Sequence, residues 1–120
     1  MKAEAAAATD VEFIVVITTV PTRADADRLA GLLVGGGLAA CVNIHAPVSS
    51  VYRWRGRIER EAETMMWIKS LRVNYGRIEA LIAEHHSHEL PEIIALPVLH
   101  AEKGYGDWLR THSQGSPADT

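Results

Sequence analysis

One hundred and twenty residues make one domain, long enough to bury a core without disulfides or a structural metal. An apolar fraction of 48%, a charged fraction of 22% and a formal charge of -3 describe an ordinary soluble globular protein and argue against a nucleic-acid-binding module. The single Cys41 excludes an intramolecular disulfide and a Cys-rich zinc site within one chain, which fits the cytoplasm, and no apolar run approaches the roughly 18 residues of a membrane span.

Residues 1–10, Met-Lys followed largely by alanine, read as a disordered leader with no secretory apolar core. Val11 to Val20 is β-branched almost throughout and predicts a central strand that Pro21 stops. Thr22 and Asp25 resemble a capping box with Asp in place of Glu. The helix they open carries Ala26, Leu29, Ala30 and Leu33 at i, i+3, i+4, i+7 and ends in Gly35-Gly36-Gly37. Leu38 to Ile44 predicts a second strand, and Pro47 a bulge or bend after which pairing resumes. Val51–Glu59 and Thr64–Leu71 read as a long antiparallel hairpin turning through Arg60-Glu61-Ala62-Glu63.

Asn74 is placed to cap a second helix in which Ile78, Leu81, Ile82 and His85 repeat the helical stripe, so that His85 faces the core. Glu89 to Leu99 predicts the last strand. Gly104 is expected to break the chain before a short helix over Tyr105–His112, and residues 113–120 to form a disordered tail. This order of strand, helix, strands, helix, strand is the split βαβ pattern of ferredoxin-like folds, an α+β antiparallel sheet with two helices on one face. The other face then exposes Val51, Trp54, Met65, Trp67 and Ile68, and oligomerisation is the economical cover.

Chemistry is concentrated between His85 and Pro97, where three imidazoles (His85, His86, His88) and two carboxylates (Glu89, Glu92) precede an apolar strand. Imidazole suits copper, zinc and nickel, so a divalent transition ion is the first ligand to consider. Adjacent helical residues point about 100° apart, which keeps His85 and His86 from chelating one ion on a continuous helix. An extended chain after His85 would instead aim His86 and His88 to one side. The bland alternative is a helix end whose negative partial charge favours histidine.

Four blocks resemble the CutA divalent-cation-tolerance family: Ala39-Ala40-Cys41-Val42-Asn43-Ile44, Ser50 to Glu59 (SVYRWRGRIE), the Glu-Leu-Pro-Glu-Ile-Ile-Ala-Leu-Pro stretch opened by His85, and Tyr105-Gly106-Asp107-Trp108-Leu109. With their spacing they cover about residues 11 to 112. The resemblance implies a ferredoxin-like subunit assembled as a homotrimer, cytoplasmic in bacteria and involved in tolerance to copper and other divalent cations. It also implies a copper site on two consecutive histidines, carried here to His85 and His86, with a cysteine at the position this chain fills with Thr18. The family reads His-Pro-Tyr where this chain has His86-Ser87-His88, so His88 is an added donor. The metal set read from the sequence is therefore His85, His86 and His88, holding Cu(II) and, as second choice, Zn(II).

Cys41, Trp54, Trp67 and Trp108 read as packing and interface residues rather than ligands. Arg53, Arg55 and Arg57 alternate and are expected to share one strand face, pairing with Glu59, Glu61 and Glu63 or binding an anion. There is no Gly-rich phosphate loop, nucleophile elbow or paired-carboxylate motif, so the reading is non-enzymatic. The alternative, by analogy with trimeric signalling proteins of the PII kind, is a small anionic metabolite held in inter-subunit clefts by Arg53, Arg55, Arg57 or Lys69, and a third reading is a scaffold for a partner protein.

Overall fold

The computed structural model describes residues 10–115. The elements run β1 (Phe13–Val20), α1 (Arg23–Gly35), β2 (Cys41–Trp54), β3 (Arg57–Leu71), a 3-10 turn (Arg72–Asn74), α2 (Tyr75–His85), β4 (Ile93–Val98) and α3 (Lys103–Thr111). One sheet holds all four strands in the order β2-β3-β1-β4, with every neighbouring pair antiparallel. That is the ferredoxin-like α+β arrangement the element order predicts.

Strand alternation sorts the chain into two faces. Ile14, Val16, Val20, Met66 and Ile68 point to one side and pack with Ala26, Leu29 and Leu33 of α1 and Ile78 and Ile82 of α2. Ile68 thus belongs to the helix-covered core and not to the open face expected of it, because it shares parity with Met66 and stands opposite Val16. On the other side Phe13, Leu71 and Val98 form one cross-strand row, and Leu109 of α3 covers that end. The middle of this face is left open: Ile94, Ile17 and Trp67 lie side by side across three strands, and Leu96 flanks them. Ile94 is 49% and Trp67 37% exposed.

Local signals for α1 are fulfilled in detail. Thr22 Oγ1 accepts the Asp25 amide at 3.1 Å and its hydroxyl donates to the Asp25 carboxylate at 2.8 Å. At the far end Gly37 takes φ 71°, which lets Leu38 N–H reach Leu33 O and Gly37 N–H reach Val34 O in a Schellman closure. The bulge foreseen at Pro47 appears as a register shift between Ile44 and Pro47.

The hairpin departs from expectation. Its turn is Arg55-Gly56, with φ of 51° and 79°, the two left-handed positions of a type I′ turn, and β3 runs unbroken through Arg60–Glu63. Polarity at 60–63 imitates a turn, but those residues edge a ribbon that projects past β1, whose pairing with β3 ends at Val20↔Thr64. The three arginines therefore share no face. Arg53 lies opposite Ile58, Arg57 opposite Trp54 on the other side of the ribbon, and Arg55 sits in the turn.

Other ends shift as well. β1 begins at Phe13, and β4 begins only at Ile93, since Pro91 has no N–H for a ladder. Gly104 lies within α3, whose start is set by Glu102 accepting the Tyr105 amide at 2.8 Å. His85, the last residue of α2, is exposed, not core-facing: the helix stops there and its ring stands beside Glu84. The expected leader lies outside the described residues except for Asp10, and so does the tail from residue 116. Ser113 and Gly115 are tied into the fold by Asn74 and by Gly37, beyond the expected boundary at 112.

Candidate metal-binding corner

The histidines meet where α2 hands over to β4. One residue beyond the last β1–β4 pair, Thr18↔Ile93, the Thr19 carbonyl lies 2.7 Å from His86 Nε2. His86 Nδ1 accepts the His88 backbone N–H at 3.0 Å, so the proton resides on Nε2 and that nitrogen donates to Thr19. Both ring nitrogens of His86 are thus used to close the end of the sheet. The His88 ring lies 4.8 Å from that of His86, centroid to centroid, and neither the His85 nor the His88 ring makes a hydrogen bond among the described residues. The extended chain after His85 does bring His86 and His88 together, and it leaves His85 apart at the helix end.

Thr18, at the position the resemblance gives to a ligand cysteine, is fully buried on the helix-covered side, with no partner for its hydroxyl among the described residues. A threonine oxygen is a poor donor to a soft or borderline ion, and with His86 engaged twice the implied copper set fits this chain poorly.

Sequence reasoning missed Glu61 and Glu63 as companions of His88. Ligand atoms of the three residues lie within 4.8 Å of one another. With Pro21 and Ala62 they line a recess of about 290 Å³. Glu61 and Glu63, two apart on β3, face the same side, and the signal for this was their period-two spacing in a stretch that resembles a turn. Glu89, one of the two carboxylates in the histidine-rich stretch, pairs with Arg55 at 2.8 Å.

Glu63 also lines a larger cleft of about 530 Å³, between the ribbon residues Ser50 to Trp54 and Leu90-Pro91-Glu92. Arg53 is the one arginine of the three in its wall. Tyr52, in the same wall, donates to Glu61 Oε1 at 2.5 Å, and the bond to that carboxylate pushes the phenol up to about 12. Because the folded value lies above the ordinary one, this bond supports the fold fully below about pH 10 and its contribution is lost as pH rises toward 12. In Glu61→Gln the Tyr52 titration is expected to fall back toward about 10, read from tyrosinate absorbance. An unchanged alkaline titration would show that Glu61 is not the cause.

A ferredoxin-like sheet with an imidazole and carboxylate corner beside an open apolar face defines a class of small α+β proteins carrying donors suited to divalent ions. Comparison with known proteins narrows the class: the family described as CutA1 divalent ion tolerance protein matches residues 14–112. The chain belongs to that family. It is 35% identical over 99 residues to the divalent-cation tolerance protein CutA of Thermus thermophilus, covering 82% of this chain and 96% of that protein. A rice relative, Protein CutA 1, chloroplastic, is 36% identical over 90% of this chain, and the match spans 61% of the rice protein. The crystal structure of CutA1 from Shewanella sp. SIB1 superposes with a TM-score of 0.84 at 36% identity, covering 87% of this chain and 97% of that one. The family and its Thermus thermophilus member are named for tolerance to divalent cations, not for a reaction.

Proposed function

We propose that residues 11–112 form the subunit of a non-enzymatic homotrimer that binds a divalent transition ion, Cu(II) and secondarily Zn(II), through the His85–His88 region in a metal-tolerance role. The observation that carries this reading is the corner itself. The His88 ring nitrogens make no hydrogen bond among the described residues and the His85 ring meets only Glu84, at 4.0 Å, in a chain that a family of divalent-ion tolerance proteins matches over residues 14–112. Assembly is supported by the uncovered row of Ile94, Ile17 and Trp67 and by the projecting two-stranded ribbon, since such a ribbon is marginal without cover. A cytoplasmic setting accords with the free Cys41, and among the described residues no helix is long and apolar enough to cross a membrane.

Calorimetric titration with Cu(II) tests the metal reading. Wild type is expected to bind saturably, and the His85→Ala/His86→Ala/His88→Ala variant, at equal oligomeric mass, to lose that heat. Coincident curves would remove metal from this corner. The cleft beside Arg53 supports the second reading, a small anion, which predicts thermal stabilisation by that anion that survives the histidine changes and disappears in Arg53→Ala.

A further inference from the structure

Glu63 is the side chain the ribbon does not explain. It is only 7% exposed, yet among the described residues its carboxylate has no hydrogen bond and no ion pair, and it opens onto the recess it shares with Glu61 and His88. Two carboxylates on one strand face repel each other, and a cation in the recess they share removes that penalty. The third group facing it, His88, offers a ring nitrogen that makes no hydrogen bond among the described residues.

We infer that Glu61, Glu63 and His88 form a mixed imidazole–carboxylate site for a divalent first-row ion of the zinc class, separate from the consecutive-histidine set. One nitrogen and two carboxylate oxygens match the donors that zinc, cobalt and manganese accept, with water completing the coordination. The three ligand atoms stand within 4.8 Å of one another. Ligands around a tetrahedral zinc lie about 3.3 Å apart, so binding needs a modest closing movement. Glu61 is exposed and β3 is fixed by pairing to β2, which assigns that movement to the Glu61 and His88 side chains. Tyr52 positions Glu61 through its phenol hydrogen bond, the kind of outer contact that orients a metal ligand. His86 acts upstream as a brace: by holding the His88 amide and the Thr19 carbonyl together, it sets the loop that delivers His88 to the ribbon.

This inference rests on the proposal that the protein binds divalent ions, and the experiment separates the two. Chelator-stripped full-length protein is titrated with Zn(II) by calorimetry, and with Co(II) followed by visible absorption. Wild type is expected to bind close to one ion per chain, with His88→Ala and Glu61→Gln each weakening affinity at least tenfold and His100→Ala, at an exposed histidine outside both ligand sets, leaving it unchanged. Glu61→Gln is an exposed, near-isosteric change that spares the fold, and Glu63→Gln, checked by circular dichroism, is expected to show the same loss. Should His85→Ala abolish binding while Glu61→Gln and His88→Ala do not, this site is overturned and the consecutive-histidine reading stands. Absence of Zn(II), Co(II) and Cu(II) binding in wild type would overturn both.

Discussion

Replacing Asn74 with alanine is expected to lower unfolding free energy by about 2–3 kcal/mol, since it leaves buried polar groups without partners. Asn74 is 1% exposed and stands at a crossing of four chain segments. Its amide donates to Ser113 O at 2.6 Å, to Ser70 Oγ at 3.1 Å and to Leu38 O at 3.3 Å, while its Oδ1 accepts Arg77 Nη2 at 2.7 Å. Ser70 in turn donates to Leu38 O, so one carbonyl keeps a partner when the amide is removed. The Ser113 carbonyl has no second partner among the described residues, and it anchors the segment that follows α3. Asn74→Asp separates hydrogen bonding from volume: it keeps an acceptor for Arg77 but turns an acceptor toward the Ser113 carbonyl, and is expected to cost at least as much as alanine. Urea unfolding at fixed protein concentration measures both. A loss below about 0.5 kcal/mol for either would put Asn74 among ordinary surface positions.

Asn74 also shows what a single sequence conveys. Its position was legible, because a polar residue before an apolar helical stripe marks a helix start. Its chemistry was not: the side chain caps nothing in its own helix and instead binds residues 36 and 39 positions away, a relation that local spacing does not encode. Thr22 is the contrasting case, where the cap and its partner lie within four residues and the motif is complete in the sequence. Elements with a strong period, β1, α1 and α2, were read correctly to within two residues. The hairpin turn was misplaced because Arg-Glu-Ala-Glu has the polarity of a turn, while Arg55-Gly56 carried the positional signal, a glycine at a left-handed site. That one error hid the candidate site. With β3 broken at 60–63, Glu61 and Glu63 became loop charges rather than neighbours on one strand face, and His88 was left with only its histidine companions.

In the proposed trimer, converting Ile94 to glutamate is expected to reduce the solution mass from three chains to one, by light scattering coupled to size exclusion. Ile94 sits on edge strand β4, half exposed, beside Ile17 and, one strand further, Trp67. In a lone chain a carboxylate at this position reaches water and costs little. In a closed ring of three the same face is covered by a neighbour, and each copy would carry an unpaired charge into an apolar contact at a cost of several kcal/mol. Repeated at every interface, that penalty outweighs the burial of the Ile94, Ile17 and Trp67 row. The far-ultraviolet dichroism should be retained, because the helix-covered core of Val16, Met66, Ile68 and Ile82 lies on the opposite side of the sheet. Val73→Glu is the control: Val73 is 72% exposed in the turn before α2, away from the open row, and its variant should keep the wild-type mass. If Ile94→Glu also keeps that mass, assembly does not use this face, and a wild type already running as one chain would remove the trimer itself.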